Sequence, residues 1–183
     1  MIAKPKSQGG WGIRDLVLFN KALAKKSMWR DLFHNGLWSV ILRNKYLKGM
    51  EVVYWLRKEQ CYFHKASIIW RNFLSALPDI KNWIAWRVGS GHRVLLGLDP
   101  FVGGAPYFIL SEELLSFLHE RGFSTLAHIF KKNLHIELHS SVVFTAQDIG
   151  LLEVLKAEWD GYTQTIKQNV IHLTNDHDKM VWN

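Results

Sequence analysis

The sequence predicts a mainly α chain of the α+β kind, with a central β-hairpin and a second, smaller helical subregion. Three observations carry this. Apolar residues recur at helical spacing before residue 78 and again after residue 111, and the helix ends carry recognisable caps. Between them lies an extended Asn82–Val88 stretch, a Gly-Ser-Gly turn and a returning apolar run. Two Pro and two Gly within Asp99–Pro106 then break the chain.

The first helix is expected to begin at Asp15, whose side chain can cap the free N–H groups of the first turn. Leu16, Phe19, Leu23, Trp29 and Phe33 fall on one broad face, interrupted by Lys26 and Arg30. Gly36 suits the position just past its end. A second helix is expected over Leu37–Leu47, closed by Lys48 and Gly49. Glu51–Lys65 reads as a loop. A third helix fits Ser67–Leu77, with Pro78 as its stop. The hairpin is expected at about 82–98, turning at Gly89–His92. Beyond the boundary, Ser111 is an N-cap followed by Glu112 and Glu113, acids suited to a first turn. That helix is expected to reach Arg121, with Gly122 past its end. Thr145 and Asp148 match a capping box. Leu155, Trp159, Tyr162 and Ile166 trace an amphipathic stripe. Val170–Leu173 is a short strand candidate, and the chain closes on the apolar run Met180–Trp182.

Composition bounds the function classes. Of 183 residues, 48% are apolar and 21% charged, a globular balance with nine Trp and ten Phe. The net charge of +7 is segregated. Residues 1–99 carry 17 Lys and Arg against 6 Asp and Glu; residues 100–183 carry 6 against 10. We therefore read two regions, a basic 1–99 containing the hairpin and an acidic 100–183. A basic half joined to an acidic half suits a polyanion partner, nucleic acid above all, because neutralising phosphates releases counterions. The same charge also suits a solvated face. The single cysteine, Cys61, excludes an internal disulfide and a multi-cysteine zinc site. No apolar run approaches the ~18 residues of a membrane span, so no membrane partner is expected. The N-terminus has no signal-type apolar core.

Catalytic chemistry finds little purchase. Gly10 with Gly12, and Gly89 with Gly91, each begin a phosphate-loop pattern that lacks its remaining glycine, and both read better as turns. His135 and His139 share a face whether the segment is helix or strand, but two imidazoles do not complete a metal site. Cys61 and His64 are near in sequence without a visible third member. Asp176 and Asp178 read as a solvated turn rather than a metal pair. No catalytic residue, metal ligand, cofactor or small-molecule substrate is expected. The remaining feature is the interleaving of cations and aromatics. Lys21, Lys25, Lys26, Arg30, Arg43 and Lys45 are the candidate phosphate contacts, set among Trp29, Trp38 and Tyr46.

The motifs also occur in a family's order. Lys4-Pro5-Lys6 with Gly9-Gly10-Trp11-Gly12-Ile13-Arg14-Asp15-Leu16 resembles the K-P-K-x-x-G-G-L-G-I-R-D-L segment of plant non-LTR (LINE-type) retrotransposon reverse transcriptases. Phe19-Asn20-Lys21-Ala22-Leu23 is similar to its F-N-x-A-L. Leu37-Trp38 with Arg43-Asn44-Lys45-Tyr46 resembles its L-W-x-x-V-L-R-x-K-Y. Ser67 with Trp70, and Trp86-Arg87-Val88-Gly89-Ser90-Gly91, match its S-x-x-W and W-x-V-G-x-G. Val170 to Trp182, with Asp176-His177-Asp178-Lys179-Met180-Val181-Trp182, resembles the segment leading into its zinc-binding region. Trp11 stands where the family has Leu, and Leu98–Phe101 where it often has W-x-D-x-W. The resemblance is close over about residues 3–102 and looser over 145–183.

The resemblance implies a fragment between the polymerase domain and a missing zinc-binding segment. It implies a thumb- or connector-like region rather than the polymerase itself, whose Y-x-D-D is absent here. The parent would be an RNA-directed DNA polymerase; this chain alone is expected not to be an enzyme. Implied partners are RNA or an RNA–DNA duplex and the missing polymerase domain, in the nucleus or cytoplasm. The alternative is a structural remnant without activity, exposing an orphaned interface.

Overall fold

The computed structural model describes residues 6–9, 12, 15–58, 66–102, 108–131 and 142–182. The chain divides into two compact units, 1–82 and 83–183. The mainly α expectation holds. The units part after Asn82, ahead of the composition switch near residue 99, so Gly89–His92 lies in the second unit. The first unit holds 15 Lys and Arg against 5 Asp and Glu, the second 8 against 11.

In the first unit α1 spans Leu16–Phe33, α2 Leu37–Leu42, α3 Val52–Arg57 and α4 Ile68–Lys81. Asp15 caps α1 as expected, its carboxylate accepting from the N–H groups of Val17 and Leu18 at 2.9 and 3.2 Å. The face buried by α1 differs from the expected one. Leu16, Phe19 and Leu23 are exposed, whereas Met28, Asp31 and Leu32 are buried. Helix α1 packs on α4 and α2, and cover by these neighbours, not apolar spacing, decides which residues are inside.

Helix α2 runs on through a π-helical turn, Arg43–Leu47, and Lys48 and Gly49 end it in left-handed conformations. Part of the expected 51–65 loop is α3, on which Val53, Trp55 and Leu56 are buried. Pro78 does not stop α4, which continues to Lys81. A proline removes one helical hydrogen bond; burial of Leu77 and Ile80 on either side offsets that loss. Ser67 caps α4, and its hydroxyl also accepts from the Tyr46 phenol at 2.9 Å. Trp70 is fully buried, stacked on Tyr46 at 4.2 Å and flanked by Trp55 and Phe73.

The second unit lacks the expected hairpin. Strand β1, Ile84–Arg87, pairs antiparallel with β2, Lys179–Trp182, in the register Ile84↔Trp182 to Arg87↔Lys179. On its other side the Trp86 N–H donates to the Pro100 carbonyl at 2.7 Å, and Val102 returns a bond to Trp86 at 2.8 Å. Residues 94–96 turn away from β1 because their backbone groups bond to 124–126: Leu96 N–H to Ser124 O at 3.1 Å, Leu126 N–H to Val94 O at 2.9 Å. Val170–Leu173 is likewise no strand; Val170 has a left-handed φ of 53°.

Helix α5, Glu112–Glu120, is capped by Ser111, and α6 spans Glu153–Gln168. Glu158 on α6 accepts from the Ser111 N–H and hydroxyl at 2.6 and 2.8 Å, tying the two helices together. The predicted stripe on α6 buries Trp159, Tyr162 and Ile166.

The Thr145–Asp148 capping box forms, but residues 146–150 close a turn instead of a helix. Asp148 accepts from the Lys131 ammonium at 2.6 Å and from the Thr145 N–H and hydroxyl, both at 2.7 Å. Lys131, then the Thr145 donors, hold the Asp148 carboxyl down at about 2. Its contribution to stability is therefore complete above the ordinary value of 3.8 and disappears as pH falls through about 2. Acid titration of unfolding should show the wild type losing more stability than Asp148→Asn across that window.

Candidate nucleic-acid interface

Helical geometry separates the α1 cations into two rows. Lys21 and Lys25 are one turn apart, as are Lys26 and Arg30, and the rows lie about 140° apart around the helix. The Lys21–Lys25 row borders α4. There Asn20, Lys21 and Lys25 of α1 and Asn72, Ser75 and Asp79 of α4 line a polar groove of about 320 Å³. Lys25 is half-buried and forms an ion pair with Asp79 at 2.8 Å. Hydrogen bonding from Lys25, then its charge, holds the Asp79 carboxyl below the ordinary value of 3.8. Solvent screening keeps such a pair weak, so Lys25 remains recruitable by a phosphate. Lys21 lies exposed in the same groove.

The other candidates differ in their commitments. Lys26 and Arg30 are exposed on the second row, and the Arg30 Nε donates to Asp31 at 3.0 Å. Lys45 is exposed, its ammonium 5.3 Å from the Tyr46 ring centroid. Arg43 reaches back to the end of α1. Its Nη2 donates to the Leu32 and His34 carbonyls at 2.6 and 3.1 Å, and it is half-buried. It satisfies orphan carbonyls at the C-terminal end of α1, which is structural work. The structure thus brings Lys21 and Lys25 together and sets Lys26 with Arg30 on a different face. Sequence reasoning missed Asn72, Ser75 and Asp79, because only the α1–α4 packing brings them beside Lys25.

The aromatics divide as well. Trp70 and Tyr46 are core; Trp29 is half-buried against Phe33, with ring centroids 4.3 Å apart. Trp38 is 63% exposed, beside Leu37 at 77% on α2. The N-terminal turns of α1 expose Leu16, Val17 and Leu18 too.

The sequence-level chemical candidates place as follows. Cys61, His64, His135 and His139 lie outside the described residues. Gly12 has a left-handed φ of 68°, while Gly10 is outside the described residues. Asp178 corrects the solvated-turn reading: it is 2% exposed and accepts from backbone N–H groups of the Gly89–Arg93 turn. Asp176 is exposed. Among the described residues, no three or more His, Cys, Asp or Glu side chains are grouped to hold a metal ion. Among them, too, no helix is long and apolar enough to cross a membrane.

Comparison with known proteins gives one informative likeness. The chain is 32% identical over 109 residues to an Arabidopsis thaliana protein named "Putative ribonuclease H protein". The match covers 57% of this chain but spans only 17% of that protein's length. No family model matches the chain. No solved structure matches it either.

Proposed function

We propose that this chain is a non-catalytic segment of a plant LINE-type reverse transcriptase polyprotein, and that its first unit contacts a nucleic-acid backbone without reading sequence. The observation that carries the contact is charge segregation. Residues 1–82 hold 15 Lys and Arg against 5 Asp and Glu, with Lys21, Lys26, Arg30 and Lys45 exposed. Phosphate contact is electrostatic and does not need base-edge readout. The ordered motifs from Lys4 to Gly91 support the polyprotein assignment. A plant relative named for ribonuclease H is in keeping with RNA or an RNA–DNA hybrid as the partner.

A second reading has its own observation. Leu16, Val17, Leu18, Leu37 and Trp38 are exposed apolar residues in one unit. Large exposed apolar patches mark interaction surfaces. On this reading the first unit is a structural remnant without independent activity, its apolar surface an orphaned interface, and it binds no nucleic acid. Binding to a labelled RNA–DNA duplex across a salt series separates the two: steep weakening with salt supports the first, and no binding by the folded chain supports the second.

A further inference from the structure

The Asp178 carboxylate sits where a free anion would sit in a backbone nest. Its Oδ1 accepts from the N–H groups of Gly89 and Gly91 at 2.7 and 2.8 Å. Its Oδ2 accepts from the Arg93 N–H at 2.9 Å, with the Ser90 hydroxyl at 3.5 Å. Converging main-chain N–H groups of this kind bind oxyanions. The turn is shaped for close approach. A Cβ at Gly89 would run into the Asp176 carbonyl. Gly91 has φ +72°, and a Cβ there would meet the Leu173 Cδ2 at 2.7 Å and the Ala127 nitrogen at 3.0 Å.

The next residues after Asp178 form β2. That strand is four residues long, and its only strand partner among the described residues is β1. Two-stranded sheets hold poorly by themselves. Arg87 and Lys179 also face each other at one end of the register, a like-charge pair that does not strengthen it.

We propose that the Gly89–Arg93 turn is a carboxylate-binding site whose resident ligand is Asp178, and that this one anion fastens the C-terminal strand as a strap. The ligand class follows from the geometry: two oxygens in one plane, shared among three N–H donors. Loss of the anion takes the partner from the buried Gly89 and Gly91 N–H groups, and a small free carboxylate restores it.

The test is chemical rescue on the full chain. Asp178→Ala should melt several degrees below wild type. Sodium formate should raise its midpoint in a saturable way, while sodium chloride at equal ionic strength should not. Wild type should respond alike to both salts. An Asp178→Ala midpoint equal to wild type, or equal responses of the variant to formate and chloride, would overturn the proposal. Should Asp178→Ala not fold, hydrogen exchange on wild type decides. The Gly89, Gly91 and Arg93 amides should exchange slowly and together with those of the β1–β2 ladder, and fast exchange at these three overturns the proposal.

Discussion

Replacing Trp70 by alanine is expected to destabilise the chain by about 3–5 kcal/mol, the range for removing a buried aromatic. Trp70 has no exposed surface and lies among Tyr46, Trp55 and Phe73. Its indole N–H is buried without a hydrogen-bond partner among the described residues. The whole contribution of this side chain therefore comes from apolar burial and stacking. A contrast follows. Trp70→Phe keeps most of the aromatic area and removes the unpaired donor, so it should cost much less than Trp70→Ala. Urea unfolding followed by circular dichroism measures both. A Trp70→Ala midpoint within error of wild type would contradict the packing described here.

Removing Lys21, Lys26 and Lys45 together should weaken hybrid-duplex binding and flatten its salt dependence. Each phosphate contact contributes about 0.9 to the slope of log Kobs against log salt on B-DNA, so losing three should lower it by about 2–3 units. The choice follows from the site. Arg43 is engaged with the end of α1, Lys25 with Asp79, and Arg30 with Asp31. The Lys25–Asp79 pair adds a prediction of opposite sign. Asp79→Ala removes a competing carboxylate from beside Lys25, so it should tighten binding at low salt. A triple variant with the wild-type slope would remove these lysines from the interface.

The Gly91 position offers a check on the turn. Alanine there must adopt the left-handed conformation, costing about 1–2 kcal/mol before any contact. Its Cβ would also press on Leu173 and on the Ala127 backbone. Gly91→Ala should therefore lower the melting temperature clearly, whereas Gly122→Ala, with φ +84° but open space around it, bears the backbone cost alone.

What was legible in the sequence was local. Asp15 and Ser111 announce helix starts because capping needs only a side chain and the next turn. The α6 stripe is legible because one helix face meets one core. What was not legible is set by distant partners. Asp178 looks like a loop acid, and its donors lie 89 and 87 residues away. The 93–96 run looks like a returning strand, yet residues 124–126 claim its backbone groups. Thr145 and Asp148 form their reciprocal bonds without a helix to follow. At the candidate interface, the cations could be read from composition. Asp79 beside Lys25, and the Leu32 carbonyl under Arg43, could not, because helix packing supplies them.

The most direct test of the central claim is the affinity of the purified chain for a labelled RNA–DNA duplex of arbitrary sequence, measured across a salt series. A backbone-binding first unit predicts affinity that falls steeply with salt, is indifferent to base sequence, and loses slope in the Lys21, Lys26 and Lys45 variant. Absence of binding by the folded chain at low salt, or binding that does not respond to salt, would contradict it.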